Sequence, residues 1–404
     1  MTLVELFDIC QIENIITGLK FLPDKIIFVG YKTVMTKKRQ SDLRRFAKLR
    51  GMRTVMEYEV VSRYDYGDIF RKLQEIVDSN TDCIFDLTGG KELVLVAMGE
   101  ISAMRSVPML QVNIRTGEVT AVKNCGKLPP QHRAVMSIAE TVALNGGAVI
   151  DNDTQSAYRR MDGEFKRDIE NLWEICRKNC GLWNRQSNLF GSFERFGSID
   201  ENFTVRVNLT HYKALKNEAA PDTGIIKSLL KFGLLCDYSL KDGRLSFRYK
   251  NRRVRNCMVK AGNILEAYIY ILALEIAEET PGFYDEIAMG VLVDWDGLFK
   301  GGGMLSGDTT NEIDIMIMRN AIPFFISCKN GEIKKEALYE LDTIANKFGG
   351  EYSRRFVFAT YVSSDTESRK YILQRAKDMK IEVIEDLHRM EKNEIVAAMR
   401  KRVR

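Results

Sequence analysis

Asp82-Cys83-Ile84-Phe85-Asp86-Leu87-Thr88-Gly89-Gly90-Lys91 decides how the first third of this chain folds. An apolar run, 82–87, stops at two glycines and passes into an amphipathic stretch, 91–104. A buried strand therefore hands over to a helix through a tight turn. Free N–H groups at a helix start attract an anion, and Thr88 and Lys91 add a hydroxyl and a charge. The stretch is neither GxxxxGK[ST] nor GxGxxG, so neither ATP nor NAD is implied. A plain strand-to-helix turn reads the same way, and these residues alone leave both readings open.

The same alternation continues on either side. Residues 3–7, 25–30, 53–61 and 108–114 read as further strands, with helical periodicity at 11–20, 37–50 and 68–79. Strands alternating with helices predict a doubly wound, parallel Rossmann-like sheet, whose ligands bind beyond the carboxyl ends of the strands. After the first strand, Cys10 precedes Gln11 and Asn14, two amides three apart at a helix start that face the same sheet edge. Amides read base edges or ribose, and they also serve merely as caps.

Composition bounds the rest. At 404 residues the chain predicts two or three domains, and 45% hydrophobic with 28% charged residues excludes a disordered polymer. The longest apolar run, 267–274, is far short of the roughly 20 residues of a bilayer span. MTLVELFDICQ has no signal-peptide pattern, so a soluble cytoplasmic protein without a membrane is expected. A net charge of +5 is too small to announce nucleic-acid binding over the whole surface, which leaves local patches. Eight cysteines without a CxxC pair suit buried, reduced thiols. Three scattered histidines argue against a His-based zinc enzyme or a Ser-His-Asp hydrolase.

Further along, helical patterns at 132–144 and 158–180 lead into a polar, irregular stretch, 184–220. A helix at 222–232 and two short runs flanking Lys241-Asp242-Gly243 suggest a small winged-helix-like connector. From 259 a long helix is followed by strands at 286–294, 312–318 and 322–329, then helices at 335–348 and 367–379 around a strand at 355–361. Domains are expected at 1–145, 146–255 and 256–404. Period-2 alternation puts Glu312 and Asp314 on one strand face, and Ser327 and Lys329 on one face of the next strand. If the strands pair, Asp314 and Lys329 converge. A lysine ending the buried run 322–326 is costly without a partner or a role. Glu266 lies in the preceding helix. Gly301-Gly302-Gly303 reads as a flap or a loose connection, and Asp294 and Asp296 read as turn residues by their loop position, with an approach to a metal as the alternative.

A helix glutamate (Glu266), then Asn311-Glu312-Ile313-Asp314, then a strand ending in Cys328-Lys329 resembles the PD-(D/E)xK nuclease core. Leu338-Tyr339-Glu340-Leu341-Asp342 and Phe348-Gly349-Gly350 resemble the nuclease half of CRISPR ancillary effectors that pair it with a CARF sensor, the DUF1887-type family. The loops at Gln11 and Asn14 and at Thr88 to Lys91 resemble the CARF ligand motifs. The resemblance implies a homodimer binding a cyclic oligoadenylate, usually the tetra-adenylate, through Cys10, Gln11, Asn14, Thr88, Gly89, Gly90 and Lys91. Binding then activates Mn²⁺- or Mg²⁺-dependent cleavage of DNA, RNA or both in type III CRISPR antiviral defence. It further implies that Asp314, the Cys328 carbonyl and a second carboxylate hold the metal, that Glu266 helps, that Lys329 positions the attacking water, and that Glu312 assists or merely flanks.

One position departs from the family pattern. Ser327 stands where the family has an acidic residue, and serine is a poor ligand for a hard cation. Either a carboxylate from the next helix, Glu336 or Glu340, replaces it, or the core is degenerate and the protein is a sensor; a ring nuclease that degrades the messenger is the remaining alternative. The basic stretch Arg248, Tyr249, Lys250, Arg252 and Arg253 is expected to track a nucleic-acid backbone, with Tyr249 stacking, or else to be a solvated hairpin edge. The tail 400–404 is expected to be frayed surface.

Overall fold

A computed structural model describes residues 1–90, 92–150, 161–216, 220–298 and 310–403, so Lys91 and the glycines 301–303 lie outside the described residues. Strands β1 (Thr2–Leu6), β2 (Lys25–Tyr31), β3 (Val55–Val61), β4 (Cys83–Asp86) and β5 (Met109–Val112) form a parallel sheet in the order β3-β2-β1-β4-β5. Helices α1 (Ile16–Phe21), α2 (Lys37–Arg50), α3 (Tyr66–Ser79) and α4 (Glu92–Arg105) make the crossovers. Every residue of β1 is buried, as a strand covered on both faces must be. The strand order reverses on either side of β1, so the crevice of this sheet opens between the ends of β1 and β4. A sixth strand, β6 (Val119–Lys123), pairs antiparallel with β5. It is nearly all exposed, which is why hydrophobic patterning missed it.

Two helices are shorter than their periodicity predicts. The 11–20 helix begins only at Ile16, because Asn14 claims the backbone upstream. The 132–144 helix is α5 (Ile138–Leu144), started by a capping box between Ser137 and Glu140.

The middle of the chain is regular where irregularity was expected. Helices α6 (Gly163–Lys178) and α7 (Cys180–Phe196) precede a four-stranded antiparallel sheet of β8 (Ser198–Ile199), β9 (Thr204–Asn208), β10 (Leu235–Lys241) and β11 (Arg244–Tyr249), ordered β10-β11-β9-β8. Helices α8 (Leu209–Lys216) and α9 (Thr223–Lys231) complete this unit. In α7, buried Trp183, Phe190 and Phe193 form an apolar stripe that Gln186 and Ser187 disguise. Both polar groups are buried with partners: Gln186 accepts from the Asp222 N–H, and Ser187 donates to the Met258 carbonyl. The β10–β11 turn has φ of 49° at Asp242 and 71° at Gly243, the paired positive values that an Asp-Gly hairpin turn supplies.

The C-terminal unit contains α10 (Arg252–Val259), α11 (Gly262–Glu279), β12 (Glu286–Asp294), β13 (Thr310–Arg319), β14 (Ile322–Lys329), α12 (Lys335–Gly349), β15 (Arg354–Ala359), α13 (Thr366–Asp378), β16 (Ile381–Ile384) and α14 (Lys392–Val403). Its sheet runs β16-β15-β14-β13-β12-β7, where β7 is Ala148–Ile150, far upstream in sequence. Helix α11 is apolar on most of its circumference because the sheet and the neighbouring helices bury it. No single helix among the described residues is long and apolar enough to cross a membrane. As far as Val403 the tail is helical and not frayed: Arg400 pairs with Glu279 and Thr280, and Arg402 with Glu382.

Candidate functional sites

The loop after β1 is built around Asn14, which is fully buried. Its Oδ1 accepts from the Asp8 N–H at 2.6 Å, and its Nδ2 donates to the Asp8 carbonyl at 2.9 Å and to Gln11 Oε1 at 3.3 Å. Asn14 therefore folds the loop and is spent, whereas Gln11 keeps a buried Nε2 with no partner among the described residues. Thr88 is likewise occupied. Its Oγ donates to Asp86 at 2.6 Å and accepts from the Val112 N–H at 2.8 Å. Neither Asn14 nor Thr88 is the free reader that its sequence context suggested; both hold the turns that present others. Gly89 and Gly90 have φ of 71° and 111°, and a Cβ at Gly89 would come within 2.8 Å of Glu13 Oε2, so the turn requires glycine.

These loops open into a cavity of about 880 Å³, within the range that holds a nucleotide-sized ligand. Asp8, Cys10, Gln11, Gly89 and Gly90 line one side. No local pattern points to the other walls: Lys38 and Arg39 from α2, Asn145, and Asn346, Lys347 and Glu351 from the C-terminal unit. Folding alone brings those residues together. Cys10, Glu13 and Glu351 make an acidic corner whose donor atoms lie within 4.8 Å of one another. Burial, then Glu13 and Glu351, pushes the Cys10 thiol up to about 12, so it is a neutral lining group. Tyr352 donates to Glu13 at 2.8 Å, and Asp42 pairs with Lys38 and Arg45, which leaves the carboxylates largely engaged.

The second site lies where β13 and β14 part. Their ladder ends at Ile315 opposite Ile326. Beyond it, Asp314 Oδ2 takes the place of a backbone acceptor, receiving the Cys328 N–H at 2.7 Å and the Ser327 hydroxyl at 3.1 Å. Lys329 Nζ stands 3.5 Å from the same oxygen. In a strand, the N–H and C=O of one residue point to one edge, so the Cys328 carbonyl faces Asp314 too. The expected convergence of Asp314 and Lys329 is thus realised. A small cavity here is lined by Glu312, Asp314, Ser327, Lys329 and Glu340, with Ala337, Leu341 and Ile344 behind. Glu336 does not line it, which separates the two helix carboxylates that the sequence left equivalent. Glu266 sits close enough to feel Asp314 and Glu312: burial first, then their charge, pushes it up to about 8, with Lys329 opposing. Asp294 and Asp296 both accept from the Leu298 N–H, as turn residues do.

A cluster of carboxylates around one lysine, with a carboxyl driven to retain its proton, is the donor set that a hard divalent cation relieves. In donor chemistry the residues present suit such a cation, although among the described residues no three of these carboxylates bring oxygens within 4.8 Å of one another.

The basic stretch is corrected by its partners. Tyr249 is fully buried and unavailable for stacking. Arg248 pairs with Asp237, Lys250 with Asp168 and Glu164, and Arg253 with Asp162. Arg252 is exposed on α10. Most of this charge therefore fastens β11 and α10 to their neighbours.

No family model and no curated protein matches this sequence. Solved structures do match its fold. Protein VC1899 from Vibrio cholerae aligns with a TM-score of 0.74 at 15% identity, over 99% of this chain and 97% of that one. Can2 from Sulfobacillus thermosulfidooxidans, solved in complex with cyclic tetra-adenylate, aligns with a TM-score of 0.69 at 16% identity, over 100% of this chain and 99% of that one. A type III CRISPR defence DNA nuclease activated by cyclic oligoadenylate aligns with a TM-score of 0.50 at 14% identity, over 90% of this chain and 46% of that one. The whole-chain fold, a Rossmann-like parallel sheet followed by a small antiparallel sheet and a second six-stranded mixed sheet, agrees with the fold that the motif resemblance implies.

Proposed function

We propose that this chain is a nuclease switched on by a cyclic oligoadenylate, with a sensor unit at 1–145, a connector at 146–255 and a nuclease unit at 256–404. The observation that carries this reading is the coexistence of two separated sites in one chain. One is a glycine-walled cavity at the switch point of a parallel sheet, and the other is an Asp314–Lys329 pair among carboxylates. The overall fold, shared with a protein solved with cyclic tetra-adenylate bound, supports the same assignment.

At the front, backbone N–H groups after β4 and the Gln11 amide suit phosphate and base edges, and the acidic corner suits exocyclic amines. A ring messenger with two-fold symmetry suits a homodimer in which each copy supplies one such cavity.

At the rear, Asp314, the Cys328 carbonyl, Glu340 and Glu266 would hold Mn²⁺ or Mg²⁺, which supplies charge neutralisation at the scissile phosphate and acidifies water. Asp314 orients the site through the Cys328 N–H. Lys329 places its ammonium against charge that develops on the phosphate and holds the water in line. Glu266 stores a proton until the site is charged. Glu312, exposed at the rim, assists. The substrate is a DNA or RNA strand, and the biological setting is type III CRISPR defence.

Ser327 favours a second reading, a messenger sensor with a degenerate nuclease core. Glu340 in the same cavity weighs against it, since it returns the missing carboxylate. Plasmid and labelled single strands incubated with Mn²⁺, with and without cyclic tetra-adenylate, decide between them. Messenger-dependent cleavage that Lys329→Ala abolishes is expected. Tight messenger binding with intact nucleic acid would establish the sensor, and a linearised messenger would establish a ring nuclease.

A further inference from the structure

One helix reaches both sites. In α12, Glu340 and Ile344 line the rear cavity, while Asn346 and Lys347 line the front one. Positions 340, 344 and 347 are spaced i, i+4, i+7 and so fall on a single stripe, about 10 Å from end to end. The stripe is held stiffly. Arg355 of β15, 8% exposed, donates to Asp342 and to Asn346, one turn apart on the same helix. The C-terminal end is tied instead to the segment leaving the front unit. Asn145 Nδ2 donates to the Phe348 carbonyl at 3.0 Å, and Lys347 Nζ donates to the Asn145 carbonyl at 2.9 Å.

That last bond is a weak arrangement for a cation. Lys347 is half-buried in the cavity wall, its only hydrogen-bond partner among the described residues is a neutral carbonyl, and the like charges of Lys38 and Arg45 act on it, opposed by Asp42 and Asp296. Burial first, then Lys38 and Arg45, lowers its pKa, and an anion entering the cavity would offset that cost.

We infer that Lys347 is a contact for a phosphate of the messenger, supplied by the nuclease unit, and that α12 carries the response to Glu340. The inference rests on the reading of the cavity as the messenger site. When Lys347 exchanges the Asn145 carbonyl for a phosphate, one of the two bonds tying α12 to residue 145 is released. A shift of this stiff helix then moves Glu340 relative to Asp314, in a site where Ser327 leaves a carboxylate missing. The messenger thereby gains a differential contact between two arrangements, which any ligand-driven switch needs.

The test uses the full chain, cyclic tetra-adenylate and Mn²⁺-dependent cleavage of a plasmid. In Lys347→Ala the half-activating messenger concentration is expected to rise about tenfold, one charge-assisted hydrogen bond. Messenger affinity by calorimetry should weaken with a shallower salt dependence, and Lys347→Arg should recover most of both. Mere structural damage would not be rescued in that way or change the salt dependence. For the helix as carrier, Thr343→Gly, at an exposed position between the two ends, should bind messenger as the natural chain does yet reach a lower maximal rate. Unaltered half-activation and salt dependence in Lys347→Ala would overturn the contact, and an unaltered maximal rate in Thr343→Gly would overturn the carrier. A natural chain that neither binds the messenger nor responds to it would instead overturn the messenger reading itself, and the inference with it.

Discussion

The two sites use their polar residues in opposite ways. At the front, Asn14 and Thr88 are buried and engaged by neighbouring loop and strand groups, so the two loops of the sheet offer glycines, N–H groups and one unsatisfied amide, while charged side chains line the other walls. At the rear, the charged side chains themselves form the surface, and Asp314 collects three donors while Glu266 is forced to keep its proton. A polar motif residue is thus a scaffold in one region and a reagent in the other. What separates them is position in the sheet. The front residues sit in closed turns after parallel strands, and the rear ones sit where an antiparallel ladder splays.

Substitutions test this contrast with graded effects. Lys329→Ala should reduce messenger-dependent cleavage on the order of 10³-fold while leaving messenger affinity unchanged, measured by gel and by calorimetry. Retained cleavage would break the reagent half of the contrast. Glu340→Gln should cost about 10–100-fold in activity or in Mn²⁺ requirement, whereas Glu336→Gln should cost nothing measurable. At the front, Asn14→Ala leaves buried backbone groups unpaired and should lower stability by about 2–3 kcal/mol in denaturant unfolding. Gln11→Ala should weaken messenger binding with little loss of stability; if the two variants behaved alike, the division between scaffold and reader would fail.

A smaller effect is a proton. Because the folded protein holds the Glu266 carboxyl up to about 8 rather than near 4.5, it binds more protons than the unfolded chain between those values. Without a cation, stability should therefore fall as pH rises through that window. Manganese binding at pH 7 should release about one proton, read from calorimetry in buffers of different ionisation enthalpy, and Glu266→Gln should abolish the release. Least affected should be Arg252→Ala, where a change in cleavage under about threefold is expected from one exposed cation.

Much of this was legible in the residues. The β–α alternation of the first 114 positions and the strand faces of Asp314 and Lys329 follow from local periodicity, and the structure bears both out. Failure came where an interaction spans the chain. Asn14 reads as a helix cap until Asp8 folds back on it, and Tyr249 reads as a stacking platform until it is buried beside Phe190 of α7. The basic stretch at 248–253 looks like a binding strip only while its acids, 11 to 91 residues away, are unseen. Part of the front cavity's wall, Asn346, Lys347 and Glu351, comes from residues more than 330 positions from Cys10, beyond any local pattern.

The short strand at 148–150 has a consequence for how the two halves can be parted. Because those three residues close the edge of a sheet otherwise made from 286 onward, cutting the chain at 256 would strip the C-terminal half of its border. Leu292 to Asp294 would then bare a row of hungry amides and carbonyls, inviting adhesion between copies. The halves are better regarded as stitched cloth than as beads on a string, and recombination in nature or in the laboratory succeeds only if the thread travels with the rear piece.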